Sequence, residues 1–396
     1  MKNFFLFDPL LLLYGFLIIF FASYGQTFFI AIFNNDIKNY YNLTDGQFGL
    51  VYALSTTLSS ILLVNFAKLI DFIDLRVYSI IITLGLLIPC IAIYFFSSNV
   101  FYLFVILFGL RFFGQGAMTH AGITSMTRYF GKDKGKAISV GNLGGMFGVM
   151  ILPIIVVYLY QYLNFKQIWL LASLSLIIFL PILYFILYNQ NDRQKKFVET
   201  VKDENNTWKT IDVIKNKQFL IYLPITSSFS FIGTGLMFHQ IFIITQKGWT
   251  TEMLGTGFIF LGTFSIIGLM VAGPLIDTLN PRKAIIYLLI PIFIGIFVLV
   301  YFQNFIFLLV YMSLYGFNLG LSAPFIGSLW AELFGLESIG TVKAVFHAIV
   351  VLVSALSPVV FGYIIDWGFG IGMISFISLL MIVVSTLLPI LINRYE

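Results

Sequence analysis

The chain is 396 residues long, 60% apolar and 18% aromatic, and only 10% of its side chains are charged. Soluble globular chains carry roughly 25% charged residues, and a chain of this length cannot cover a watery surface with so few, so the composition is that of an integral membrane protein. Cytosolic enzymes, secreted scaffolds and nucleic-acid binders are excluded, and the net charge of +5 matters less than where the charges sit. The single cysteine, Cys90, lies in an apolar stretch, so neither an internal disulfide nor a thiol metal site is expected.

The first apolar run, Pro9 to Phe33, is too long for the apolar region of a signal peptide, which runs to about 7–15 residues, and reads as a retained first span. A bilayer core takes about 20 apolar residues as helix. Runs of that kind lie near 9–34, 46–70, 77–97, 101–127, 137–160 and 167–188, then near 218–245, 252–276, 283–302, 305–332, 341–364 and 369–392. The prediction is an all-α membrane protein of twelve transmembrane helices in two six-helix repeats. The expected divisions are an N-terminal bundle over 1–188, a cytoplasmic linker over 189–217 and a C-terminal bundle over 218–396. The linker carries eight charged residues between Asp192 and Glu204, and a surface helix is expected around Asn206–Ile214.

Lysine and arginine set the orientation, because cytoplasmic loops hold the excess. With both termini inside, inner segments hold 18 of the 22 basic residues, outer loops hold only Lys38, Lys166 and Lys247, and Arg111 lies within a span. Both termini are therefore expected in the cytoplasm, with a bacterial inner membrane as the expected location.

The two halves repeat one another. Ala67-Lys-Leu-Ile-Asp71-Phe-Ile-Asp-Leu-Arg76 recurs 206 residues later as Gly273-Pro-Leu-Ile-Asp277-Thr-Leu-Asn-Pro-Arg282. Thr44 and Gly49 match Thr250 and Gly255 at the same offset, and Tyr129-Phe-Gly matches Leu333-Phe-Gly. Parallel repeats of an even number of spans are a secondary-transporter architecture, with the site at the repeat interface.

The loop pattern G-x-L-x-D-x-x-G-x-R between the second and third spans of each half resembles that of the major facilitator superfamily. Gly273, Leu275, Asp277 and Arg282 match it, with Asn280 in place of the later glycine; in the first half Leu69, Asp71 and Arg76 match, while Ala67 and Asp74 replace both glycines. Arg111-Phe-Phe-Gly-Gln-Gly116 resembles the family's R-x-x-x-Q-G element. Gly141, Gly144, Gly145, Gly148 and Pro153 resemble its glycine-rich fifth helix, without the usual Gly-Pro pair. The resemblance implies conformational gating by Asp71, Arg76, Asp277 and Arg282, which would hold an outward-open state. It also implies that spans one, four, seven and ten line a central cavity. Gly144 and Gly148, four apart like Gly141 and Gly145, suit close helix packing or a hinge.

Arg111 lies about ten residues into its span, roughly 15 Å deep, where an ionisable group is a functional candidate. No Asp or Glu is near the middle of a span; Asp8, Glu332 and Asp366 all sit near ends. The partners left open to Arg111 are backbone carbonyls, Gln115 one turn on, water or an anionic substrate. His239, followed by Gln240, suits substrate or proton handling, or an interhelical hydrogen bond, whereas His120 and His347 read as structural. Tyr24, Gln26 and Asn318 complete the candidate substrate-binding set, Gln26 being the favoured member.

No G-x-x-x-x-G-K-[ST] phosphate loop occurs, and no convergent nucleophile, acid–base pair or metal cluster, so neither an enzyme nor a nucleotide-driven pump is expected. The expected function is secondary transport by alternating access, with no cofactor and no nucleic-acid partner, in a lipid bilayer and as a monomer. A mid-membrane arginine without a carboxylate suits a small organic anion, such as a monocarboxylate, moving with a proton carried by His239 or by the substrate; facilitated diffusion and anion exchange stay open. The alternative is an exporter of lipophilic or drug-like compounds.

Overall fold

A computed structural model describes residues 4, 7–95, 98–188, 190, 210–335 and 339–393. Every regular element among them is a helix. Eleven helices are long and apolar enough to cross a bilayer, and a twelfth span is a pair, Pro9–Gly25 and Thr27–Tyr41, bent by 44°. The second to sixth spans are Asp45–Asp71, Leu75–Phe95, Val100–Tyr129, Lys134–Leu159 and Phe165–Ile186. The seventh to twelfth are Lys217–Phe238, Thr251–Leu279, Pro281–Tyr301, Phe305–Phe334, Gly340–Asp366 and Ile371–Ile392. Of the linker, the charged run from Asp192 to Glu204 and the first part of the expected surface helix lie outside the described residues; Thr210–Lys215 is a short helix.

The helix starts are written in the sequence. Asp8 precedes Pro9 and accepts the backbone N–H of Leu11 at 3.0 Å, Asn164 and Gln167 form a reciprocal capping box, and Asn216, Thr250 and Asn304 each accept a first-turn N–H. Inside hydrocarbon the remaining backbone groups must be satisfied within the helices, so interruptions need an explanation, and among the described residues the following stand out in mid-span. The first span passes through a tight turn at Ser23–Gly25 and an extended Gln26 (φ −82°, ψ 152°). The fourth widens to a π-helix over Leu110–Met118. The ninth breaks between Tyr287 and Ile290, next to Pro291.

The chain forms two compact units, one of residues 1–43 and 51–202, the other of 44–50 and 203–396. The internal pairings repeat. In the first unit span one packs on five, three on six and three on four; in the second, seven packs on eleven, nine on twelve and nine on ten. The start of the second span, residues 44–50, belongs to the second unit.

Candidate functional site

In the first unit two irregular segments meet. A Cβ built at Gly25 would lie 2.1 Å from the Leu110 carbonyl oxygen, and one at Gly114 would lie 2.8 Å from Gly25 Cα, so the turn of span one rests backbone to backbone on the π-helix of span four. The break frees the Gly25 carbonyl, because the Phe29 N–H turns to Gln26. Arg111, in the π-helix, donates to it from Nη1 at 2.9 Å. Nη1 also reaches Thr27 Oγ1 at 3.4 Å, Nε donates to Thr56 Oγ1 at 3.1 Å, and the guanidinium lies 5.0 Å from the centre of the Tyr52 ring. Tyr52 in turn shares a 2.7 Å hydrogen bond with Thr27.

Arg111 is 2% exposed, and among the described residues all of these partners are neutral. A buried cation in a low-dielectric site normally takes a carboxylate; carbonyl, hydroxyl and ring contacts orient the guanidinium without cancelling its charge. Of the partners left open by the sequence, the carbonyl is realised. Tyr52 and Thr56, one turn apart on the second span, were not legible as partners, since nothing in the chain pattern turns that face toward Arg111.

The other candidates divide. Gln26 and Gln115 are half-buried, Gln26 in the break and Gln115 in the π-helix, and Gln115 N lies 2.8 Å from the position of a Gly25 Cβ. These two belong to the Arg111 neighbourhood. Tyr24 is buried with its hydroxyl on Ser175 of span six at 2.8 Å, so it ties spans one and six. In the second unit Asn318 is fully buried and its Oδ1 accepts the Ile292 N–H at 3.4 Å. That N–H is left over by the break next to Pro291, so Asn318 props the ninth span. No hydrogen bond joins Asn318 to His239 or Gln240.

His239 sits where the seventh span stops and Gln240–Lys247 begins. Its Nε2 donates to the Pro358 carbonyl at 3.0 Å and its Nδ1 is 3.5 Å from Oδ1 of Asp45. Close by, Asp366 accepts from Thr44 Oγ1 at 2.7 Å, Asp45 N at 3.0 Å and Gly46 N at 2.9 Å. Asp45 and Asp366 look unremarkable in the sequence because they stand at span ends, more than 300 residues apart. At the same end Lys247 is 7% exposed, its Nζ donating to the Val300 and Phe302 carbonyls at 2.9 and 3.0 Å; burial lowers its affinity for the proton.

Three of the four loop residues expected to gate, Asp71, Arg76 and Arg282, make contacts internal to their own units. Asp71 pairs with Arg128, which also donates to the Ile70 carbonyl. Arg76 caps the end of span six, donating to Leu187 O at 3.0 Å and Tyr188 O at 2.7 Å. In the second unit Arg282 pairs with Glu332 at 3.1 Å, and Asp277 is exposed with no ion pair among the described residues. Asn280, where the family pattern has glycine, has φ +57° and ψ 158°, a backbone that favours glycine, and its side chain accepts the Lys283 N–H. Ala67 stands where the pattern has its other glycine, and in the second unit a Cβ at the counterpart, Gly273, would meet nothing within 4 Å.

Gly144 and Gly148 seat span five on span one: added Cβ atoms would lie 2.0 Å from Phe16 O and 2.1 Å from Ser23 Oγ. Gly141 and Gly145 face Ile19 at 3.3 Å, a looser fit. A second small-residue seam escaped the sequence reading. Gly316 and Gly320 of span ten rest on Leu261 O and Ser265 O of span eight, each at 2.1 Å.

A polytopic helical protein of two like units, with broken helices around a buried arginine, is built as secondary transporters are. The Major Facilitator Superfamily family model matches residues 15–358. The chain belongs to that superfamily and is a transporter, not an enzyme. Among solved structures it is similar to a bacterial homolog of the human lysosomal transporter Spinster, captured inward-facing and unoccupied. The TM-score is 0.71 at 15% identity, over 98% of this chain and 97% of that one. No curated protein matches the sequence.

Proposed function

We propose that this transporter moves a small organic anion, of the monocarboxylate class, by alternating access and together with a proton. One observation carries the reading: a guanidinium 2% exposed whose partners are a carbonyl, two hydroxyls and a ring, with no carboxylate among the described residues to balance it. An anion supplies the missing charge, and the planar fork of arginine suits a carboxylate. Gln26 and Gln115 stand in the same two irregular segments and would orient the solute; a transport role for His239 is taken up below. Gly144, Gly148, Asp71, Arg76, Asp277 and Arg282 are proposed to set the balance between states. The orientation rests on the 18-to-3 distribution of basic residues, which favours cytoplasmic termini, and a bacterial inner membrane is the proposed location.

The test is thermal stability of the detergent-purified chain against small carboxylates, amino acids, sugars and lipophilic cations. A ligand at 100 times its dissociation constant stabilises by about 2.7 kcal/mol. Carboxylates should raise the melting temperature of the wild type and leave Arg111→Gln unmoved. Stabilisation by lipophilic cations, unchanged in Arg111→Gln, would sink the anion reading and leave the exporter.

A further inference from the structure

His239 is 1% exposed, and its two ring nitrogens are in unlike situations. The Pro358 carbonyl, 3.0 Å from Nε2, only accepts, so Nε2 carries a hydrogen. Nδ1 faces Oδ1 of Asp45 at 3.5 Å and is buried without a hydrogen-bond partner. With the imidazole neutral and the carboxylate ionised, a bare lone pair faces an anionic oxygen in a site that excludes water, which is repulsive. One proton added between them, on either atom, turns two acceptors into a donor and an acceptor.

The same residues hold the start of the second span. Asp366 takes the hydroxyl of Thr44 and the first free N–H groups of the helix that begins at Asp45. The seat is tight: Cβ atoms at Gly49 and Gly362 would lie 2.4 Å from Pro358 O and 2.5 Å from Asp45 O. Pro358 O is thus the acceptor of His239 and also the floor under Gly49. Residues 44–50 cannot leave this seat without parting Asp45 from His239. The other ionisable groups on the elements packed here are otherwise engaged: Asp366 with the helix start, Lys247 with the Val300 and Phe302 carbonyls, and Glu252 with hydroxyls of Thr250 and Thr251.

We infer that His239 and Asp45 form a proton-binding site whose occupancy holds residues 44–50 docked on the second unit, and whose emptying releases them. The proton comes from water and returns to it, and no bond other than N–H or O–H changes. The inference rests on the alternating-access and proton-coupling readings and is independent of which solute is moved; it places the proton in the second unit, at the end where the seventh and eleventh spans finish.

The test uses the full chain in lipid nanodiscs with Cys90→Ala, and spin labels on Gln47→Cys and Trp367→Cys, both exposed positions of the second unit. Electron–electron distances are read between about pH 5.5 and 8.5, a range that brackets histidine titration. A single linked proton changes the docked-to-released ratio by up to about tenfold per pH unit, so the short distance should gain population as pH falls. His239→Gln should abolish that dependence. Asp45→Asn, whose amide can donate to Nδ1, should stay docked at every pH, and it keeps the test open if the histidine variant does not fold. A wild-type distribution that does not move with pH, or that titrates identically in both variants, overturns the inference. Since no solute is added, failure of the anion reading shows only in the stabilisation assay. A second, longer distance that is independent of pH would remove the proton site and leave alternating access standing.

Discussion

The two units share their helix pairings and differ in the middle of the membrane. Counted from the Tyr129-Phe-Gly and Leu333-Phe-Gly match, Tyr315 stands where Arg111 does. Around Tyr315 the tenth span is one uninterrupted helix, Phe305–Phe334, and the tyrosine packs on the Phe229 and Tyr311 rings. Around Arg111 the fourth span is a π-helix, the first span is broken, and a carbonyl is released to take the charge. Where a charge is buried, irregular backbone accompanies it, although the break in the ninth span carries no charge. A guanidinium in hydrocarbon needs acceptors that a regular helix has already used, and π-segments and broken helices are where such acceptors appear. The same contrast recurs at the loops. Arg128 and Glu332 occupy matching positions with opposite charge, so Arg128 pairs with the loop aspartate, Asp71, whereas Glu332 pairs with the loop arginine, Arg282.

The sharpest way to break this comparison is to overfill both backbone crossings. Gly25→Ala and Gly316→Ala each place a Cβ 2.1 Å from a carbonyl oxygen, and overpacking of this kind costs about 1–3 kcal/mol. Both should lower the melting temperature, but only Gly25→Ala should also erase the carboxylate-induced shift of about 2.7 kcal/mol. If Gly316→Ala erases it equally, the solute site is not confined to the first unit's irregular segments.

Asn318→Leu probes the break that the second unit repairs without a charge. It strips the Ile292 N–H of its acceptor, at about 1–3 kcal/mol for an unsatisfied buried donor. Amide exchange should quicken at Ile292, while carboxylate affinity stays at the wild-type value; a loss of affinity would restore Asn318 to the binding set. The smallest effect is expected from Glu332→Arg. The half-exposed Arg282–Glu332 pair contributes about 0.2–1 kcal/mol, and by analogy with Arg128 and Asp71 the new arginine is expected to pair with Asp277. Melting should shift by less than the double change Glu332→Arg with Asp277→Asn; equal shifts would mean that the two loops are not interchangeable.

Hydropathy and a repeated loop motif make the spans and the duplication legible in the sequence, because both are properties of runs of residues. Arg111 is legible too, as a lone charge in an apolar run. Its partners are not. The break at Ser23–Gln26 coincides with the short polar run Ser-Tyr-Gly-Gln, which the sequence offers as candidate site residues and not as a helix break, and Gly25 announces itself only when the Leu110 backbone is seen against it. His239 was legible as a proton or hydrogen-bonding candidate, but its partner Asp45 belongs to another span's first turn and reads there as a helix-start residue. Asn318, an amide on a predicted cavity helix, turns out to serve a neighbour's proline break, a need that only the packing of spans nine and ten reveals.

We propose that Arg111, whose partners among the described residues are all neutral, receives an anion. The most direct test of this claim is uptake of labelled monocarboxylates into proteoliposomes by the wild type, Arg111→Lys and Arg111→Gln. The expected result is transport by the wild type, a reduced rate in Arg111→Lys, which keeps the charge but loses the fork, and none in Arg111→Gln, with all three variants folded. Carboxylate transport by Arg111→Gln at the wild-type rate would contradict the claim and leave Arg111 as a structural clasp between spans one, two and four.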